Sequence, residues 1–233
     1  MTALHEAGVA LSFNRHAARF KRQVDADDVR LRAVIDALGP LVGRTILDLG
    51  CGKGRFAARL TEAGAFIVGL DVSPEMLAEG SGARTLGSAR RLPFADASFD
   101  GVFAIEVLQH VHPSHLDEVL SEARRVLAPG GRLAIVDKNA AALDANRPWL
   151  PALAVKWIDV RRGRWMYPAR GPLRERWFLA SRMMALLSRR QFKGVEATPI
   201  LSPREAGRAI FRILPHARSL ILWTAHAPGG LND

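Results

Sequence analysis

The sequence predicts an α/β protein organised around one twisted, mostly parallel sheet with helices on both faces. Arg44-Thr45-Ile46-Leu47-Asp48-Leu49 and Phe66-Ile67-Val68-Gly69-Leu70-Asp71 are short apolar runs of the kind a parallel sheet buries on both faces. Val102-Phe103-Ala104-Ile105-Glu106 and Arg132-Leu133-Ala134-Ile135-Val136-Asp137 repeat the pattern further along. Between the runs lie stretches with helical spacing, such as 116–127, so strands and helices alternate as βαβ units require.

The first run feeds Gly50-Cys51-Gly52-Lys53-Gly54, with glycine at every second position. Without a Cβ, these positions take positive φ and let the backbone touch a ligand. Arg55-Phe56-Ala57-Ala58-Arg59-Leu60 then reads as a helix whose first amides face the same spot. Asp71, at the end of the second run, is placed to accept both hydroxyls of a ribose. A dinucleotide site also puts an acid roughly 20 residues after a glycine-rich turn. Its fingerprint is Gly-x-Gly-x-x-Gly, whereas here Asp48 precedes Gly-x-Gly-x-Gly, and a carboxylate there repels a pyrophosphate and suits an ammonium.

The Asp48–Gly54 segment resembles motif I of the class I S-adenosylmethionine-dependent methyltransferases, in the branch that methylates small molecules. The resemblance implies a Rossmann-like, seven-stranded, mostly parallel sheet with an antiparallel last strand. It implies S-adenosyl-L-methionine as cofactor, with its charged amino-acid end beside Asp48, Gly50, Cys51 and Gly52, its ribose on Asp71, and Val72 and Met76 flanking the adenine. Gly87-Ser88-Ala89-Arg90-Arg91-Leu92-Pro93-Phe94 is similar to the family's acidic-Ala-x-x-Leu-Pro-Phe element. Ser88 stands where the family usually carries an acid for the adenine amino group. Adenine recognition is therefore expected to rest on the amide of Ala89, apolar contact from Val72 and Leu92, and a weaker bond to Ser88. The Leu127-Ala128-Pro129-Gly130-Gly131 stop is also similar, with Ala128 replacing the usual Lys or Arg. The resemblance covers about residues 40–137.

At 233 residues the chain can bury a full core, and it reads as one methyltransferase domain. Residues 1–40 form an N-terminal helical lid, 41–138 the cofactor-binding core, 139–191 an acceptor-site insertion and 192–233 the C-terminal strands. A hydrophobic fraction of 48% is ordinary for a soluble protein, and no run of about 18 apolar residues is present to span a bilayer. His5, Glu6, Asn14 and Arg15 interrupt the apolar residues of the N-terminus, which argues against a signal peptide; a cytoplasmic enzyme is expected. The single cysteine, Cys51, excludes an internal disulfide and reads as a packing residue.

The lid reads as two amphipathic helices, the first with Phe13, His16 and Phe20, the second with Val29, Val34, Ile35 and Leu38 before a Gly39-Pro40 stop. In related methyltransferases such a segment folds over the cofactor, which puts Arg15, His16 and Phe20 at its closing edge. Packing of Phe13 and Phe20 on the sheet is the alternative. Ser73 caps a short helix that opens at Pro74, and Arg84-Thr85-Leu86 reads as the third strand. Leu173–Ser188 is the longest helical stretch of the insertion, with Trp177, Phe178, Met184 and Leu187 turned to the core. Gly194–Thr198 and Leu220–Ala225 read as strands six and seven, with a helix over Arg204–Leu214 between them.

Methyl transfer from a sulfonium is an in-line substitution, so holding the nucleophile in place dominates. His110, just beyond the fourth strand at the sheet edge, is the candidate catalytic base; capping a helix or binding substrate passively is the alternative. Glu106 and Gln109 read as cofactor-binding or positioning residues, and His112 and His115 as solvent-contacting ones. No metal is expected, because the His-x-His pair lacks carboxylates at ligand spacing apart from Asp117. Asp137-Lys138 reads either as a loop ion pair or as a wall of the acceptor site.

The net charge is +10, and Arg147–Lys193 holds twelve Lys or Arg residues against Asp159 and Glu175. Trp149, Trp157, Trp165 and Trp177, with Met166, Met183 and Met184, are interleaved among them, and Pro148, Pro151, Pro168 and Pro172 break the run. Three readings stay open: an acceptor pocket and homodimer contact with buried tryptophans, a peripheral membrane surface serving a lipid-linked acceptor, or an RNA surface. Nucleic acid is disfavoured because no separate RNA-binding module or Asn-Pro-Pro-Tyr-like motif is present. The favoured function is O-methylation of a small molecule in natural-product, quinone or cell-envelope glycan biosynthesis, and the arginine forks suit an anionic acceptor. An RNA methyltransferase and a non-catalytic cofactor-binding partner protein are the alternatives.

Overall fold

A computed structural model describes residues 2–164 and 173–229 of the protein, among which seven strands form one sheet. They are β1 (Thr45–Leu49), β2 (Phe66–Asp71), β3 (Ala83–Leu86), β4 (Phe99–Ile105), β5 (Leu127–Lys138), β6 (Lys193–Ile200) and β7 (Leu220–His226). Their order is β3-β2-β1-β4-β5-β7-β6. Strands β1 to β5 pair in parallel, and β7 runs antiparallel between β5 and β6. This is the mostly parallel, seven-stranded sheet with an antiparallel last strand that the sequence predicts. The strand order reverses between β1 and β4, so a crevice opens at their carboxyl ends.

The helices are α1 (Thr2–His16), α2 (Val29–Leu38), α3 (Ala57–Glu62), α4 (Pro74–Ala78), α5 (Leu116–Val126), α6 (Ala152–Arg161), α7 (Ala180–Arg189), α8 (Pro203–Ala206) and α9 (Ile210–Ile213). Alternate strand residues feed opposite faces. Leu47, Val102 and Leu133 share a core with Leu120 of α5 and Leu187 of α7. Ile46, Phe103 and Ala134 share the other with Leu31, Val34 and Leu38 of α2. Asp28 caps α2 by accepting the N–H groups of Arg30 and Leu31, and Gly39 ends it at φ +73°. No helix among the described residues is long and apolar enough to cross a membrane.

Several local expectations need correction. Helix α1 ends at His16 and passes through a 3-10 turn, Ala17–Arg19, so Phe20 lies beyond it. The stop at Pro129-Gly130-Gly131 is already strand: Leu127 pairs with Phe99 before the register shifts to Arg132 opposite Gly101. Helix α7 begins at Ala180, because residues 173–179 run extended past the end of β5. There the N–H groups of Arg176 and Phe178 donate to Gln109 and Lys138 carbonyls, bonds that a helix would forgo. Met184 packs against the core as expected, and Met183 is the methionine that α7 buries fully.

The Arg204–Leu214 stretch is two short helices, α8 and α9, broken at Gly207. Glu205 accepts from Ser202 with one oxygen and from the N–H of Ser219 with the other, which ties α8 to the start of β7. Among the tryptophans, Trp223 is fully buried, but Trp149 and Trp157 are 73% and 56% exposed, against the buried-tryptophan expectation. Trp165, Met166, Pro168 and Pro172 lie outside the described residues.

Candidate functional site

At the carboxyl ends of β1, β2 and β4 lies a cavity of about 360 Å³. Its floor is the glycine loop, where the sequence dictates the shape. Gly50 has φ +75°, and a Cβ there would lie 2.6 Å from Val107. Gly52 has φ +53°, and a Cβ there would lie 2.8 Å from the Met76 methyl. Gly50 is required both by its positive φ and by the Val107 branch, and Gly52 chiefly by its φ, since the Met76 methyl could swing aside. The N–H groups of Gly50 and Cys51 donate to the Leu70 carbonyl at 2.7 and 3.0 Å, which stitches the loop to β2. The Cys51 thiol packs over Gly69, whose absent Cβ would come within 2.6 Å of the sulfur. Burial pushes that thiol up and keeps it protonated, in accord with a packing role.

Two carboxyls flank the loop. Asp71 accepts the N–H of Gly52 at 2.7 Å and of Ser73 at 2.9 Å. Burial raises its pKa while those N–H groups hold it down. Each oxygen keeps a further lone pair for the cavity. Asp48 is only 3% exposed, and its Oδ2 has no partner among the described residues. Burial, with the charge of Asp71 adding and that of Arg55 opposing, pushes it up to about 8. A carboxyl oxygen buried without a donor, on the wall of a glycine-floored cavity, has the chemistry to receive a cationic head. The amino-acid end of a sulfonium nucleoside offers one, so these residues fit that cofactor.

Glu106 follows β4 at φ +58°, a position non-glycine residues rarely hold. Three cations surround it: Lys138 in direct contact, Arg30 at 2.7 Å and Arg55 at 3.7 Å. Burial alone would raise its pKa, but Lys138 and Arg30, with Arg55, pull it down to about 2. Arg30 is held in turn by Asp28 at 2.6 Å. The guanidinium of Arg55 lies 4.8 Å from the Phe56 ring centroid and lines the cavity. Arg30 and Arg55 are thus parts of the site with no such role expected from the sequence, and Lys138, expected in a loop ion pair or an acceptor-site wall, pairs with Glu106.

His110 closes the 3-10 turn Leu108–His110. The fully buried Asp137, pushed up to about 7 by burial, fastens that turn by accepting the N–H of Gln109 at 3.0 Å. The edge of the Phe13 ring meets the His110 ring at 5.1 Å between centroids, and His5 Nε2 lies 3.0 Å from the His110 carbonyl. Helix α1 therefore roofs this end. Burial drives the His110 imidazole down to about 3, with Glu106 opposing and Lys156 and Lys138 adding, so the ring is neutral.

Residues 47–135 match the family model described as "Methyltransferase domain". Over this segment the chain is similar to methyltransferase domains. It is 41% identical over 125 residues to the demethylmenaquinone methyltransferase of Beutenbergia cavernae, covering 52% of this chain and 49% of that protein. It is 40% identical over 135 residues to the O-methyltransferase resE of Aspergillus sclerotiorum, covering 53% and 49%. The chain thus spans about half the length of the curated relatives it matches. Among solved structures, an S-adenosylmethionine-dependent methyltransferase from Mesorhizobium loti superposes with TM-score 0.63 at 20% identity, covering 86% of this chain and 98% of that one. The cyclase SpnF superposes with TM-score 0.66 at 18% identity, covering 95% and 96%. These two likenesses concern the fold.

In this chain the cavity gathers Asp48, Gly50, Cys51, Gly52, Asp71, Val72, Met76, Ser88, Ala89, Glu106 and His110. Leu92 is not on its wall. Its side chain packs in the core, because α5 grips its backbone: the N–H donates to Glu122 at 2.7 Å and the carbonyl accepts from Arg125 at 3.1 Å. Ser88 lines the cavity, but its hydroxyl already accepts the N–H of Arg90 at 3.1 Å. Phe20 lines it, whereas Arg15 and His16 do not; the His16 ring lies 2.8 Å from the Ser12 carbonyl.

Of the Asp137-Lys138 pair, the acid is buried under the Gln109 turn, whereas the lysine lines the cavity beside Glu106. His115 was expected in solvent but is buried and lines the cavity, 3.2 Å from Glu118. Glu175, carried by the extended 173–179 segment, closes the same end and pairs with Lys156 of α6.

Proposed function

We propose that this protein is a methyltransferase that transfers a methyl group from S-adenosylmethionine to a hydroxyl of an apolar small molecule. The observation that carries the reading is a single cavity lined both by the charged residues around the glycine loop and by a second, apolar set of side chains. In the first set Asp48 takes the ammonium, Arg55 the carboxylate and Asp71 the ribose hydroxyls, while Val72, Met76 and Ala89 border the adenine. When bound, the cofactor supplies an electrophilic methyl group on a sulfonium. In the second set Val9, Phe13, Val111 and Val119 supply apolar walls, which favour a flat hydroxylated ring over a sugar. The relative named for demethylmenaquinone supports an apolar, quinone-type acceptor, and the one named an O-methyltransferase supports transfer to oxygen.

The charge state of the site narrows the acceptor further. His110 is neutral with a conjugate acid near 3, and Glu106 is neutralised by three cations, so neither stores a proton well near neutral pH. His110 then serves to orient the nucleophile through a hydrogen bond. A hydroxyl that ionises readily, as on a phenol or hydroquinone, suits such a site. The test is release of S-adenosylhomocysteine by the purified chain with panels of phenols, hydroquinones and sugars. Turnover with phenols or hydroquinones is expected; cofactor binding without turnover on either overturns the reading.

A second expectation concerns pH. An imidazole of ordinary pKa, 6.5, acting as base would bend the log kcat profile near that value. Here no such bend is expected, and His110→Asn should lower kcat about tenfold while leaving the profile's shape intact. An acid limb near 6.5 that vanishes in His110→Asn would restore His110 as the proton acceptor.

A further inference from the structure

Helix α6 carries apolar residues on both of its sides. Ala152 and Val155 face inward and are buried. Leu153, Trp157 and Ile158 face outward, 40%, 56% and 37% exposed, and Trp149 just before the helix is 73% exposed. Apolar side chains on both sides of a helix are normally covered on both. Here Leu153, Trp157 and Ile158 are left to solvent, which marks a contact face.

The charges at its end show what the contact is. Arg161, Arg162 and Arg164 are exposed at the carboxyl end. The only acid in the helix, Asp159, is engaged with Arg164 at 3.6 Å. Arg161 lies 3.9 Å over the Trp157 ring, so cation and indole form one amphipathic unit. Apolar side chains bordered by tryptophan and arginine match the boundary of an anionic bilayer, where indoles sit at headgroup level and basic groups meet lipid phosphate. A second copy of the chain fits less well, since facing helices would oppose arginine to arginine. Nucleic acid fits less well too, because Leu153 and Ile158 offer bases neither stacking nor charge.

We infer that the outer face of α6 docks the protein on membranes rich in anionic phospholipid. The inner face of the same helix reaches the site: Lys156 pairs with Glu175, which closes the acceptor end of the cavity. Docking therefore sets that end beside the lipid. The inference stands on the helix surface and does not depend on which acceptor is methylated.

The test is co-sedimentation of the full chain with unilamellar vesicles of phosphatidylcholine, alone or mixed in equal parts with phosphatidylglycerol. Partitioning is expected to be at least about tenfold stronger onto the mixed vesicles, to fall steeply with salt, and to shift tryptophan emission to shorter wavelength. The double variants Leu153→Ser/Trp157→Ser and Arg161→Glu/Arg162→Glu should each lower it by about 30-fold or more. Both alter exposed side chains, so calorimetric affinity for S-adenosylhomocysteine should be unchanged in each. Absence of sedimentation, or equal sedimentation with both vesicle types, overturns the inference. So does retention on tRNA without vesicle binding, or a dimer dispersed by Leu153→Ser/Trp157→Ser without vesicle binding.

Discussion

Asp71→Ala is expected to weaken binding of S-adenosylhomocysteine by about 10²- to 10³-fold, read by titration calorimetry. Two losses combine. The ribose hydroxyls lose an ionised acceptor, and the N–H groups of Gly52 and Ser73, now held at 2.7 and 2.9 Å, lose the carboxylate that fixes the loop and the start of α4. Asp71→Asn separates the two, because its amide oxygen keeps one acceptor while the charge is gone; about tenfold is expected there. An affinity within threefold of the parent for Asp71→Ala would remove the residue from the binding site.

Asp48→Asn should act on stability and binding in opposite directions. The carboxyl titrates near 8 in the ligand-free fold, against 3.8 ordinarily. Between those values the folded chain holds a proton that the unfolded chain has released, so stability falls as pH rises toward 8. Replacing the acid removes that cost, and the variant should be more stable than the parent by about 1–3 kcal/mol at pH 8 and little changed near pH 4.

Binding runs the other way for the same residue. An ammonium requires the ionised carboxylate, so the parent's affinity should rise up to about tenfold per pH unit through the neutral range. The rise should level off near pH 8, where a typical α-amino group, with pKa about 7.7–8.0, also begins to lose its proton. Asp48→Asn should bind about 10²-fold more weakly and show no such rise. Thermal melts and calorimetry across pH measure both; a destabilised variant with parental affinity would contradict the assignment.

What the sequence disclosed of this site follows its chemistry along the chain. Asp48, the glycines and Asp71 are legible because a buried strand ending in an acid, then a turn only glycine can make, leaves a local trace. The cation cage around Glu106 leaves none, since Arg30 lies 76 residues away on α2 and Lys138 lies 32 residues away on β5. Only the packing of α2 against the strands brings them together. The late start of α7 was hidden for a like reason: residues 173–179 have helical composition, and it is the carbonyls of Gln109 and Lys138 that draw them straight. His115 read as a surface residue because nothing nearby in sequence shows that α1 and the 173–179 segment close over that end.

Helix α1 is fastened at two distant points. Its Asn14 accepts the Ser73 hydroxyl at 2.5 Å beside Asp71, and its His5 and Phe13 rest on His110 at the opposite end. A rigid rod pinned at both ends cannot lift from one without strain at the other. Occupancy of either compartment therefore alters the free energy of filling its neighbour, and thermodynamic reciprocity makes the two effects equal in size.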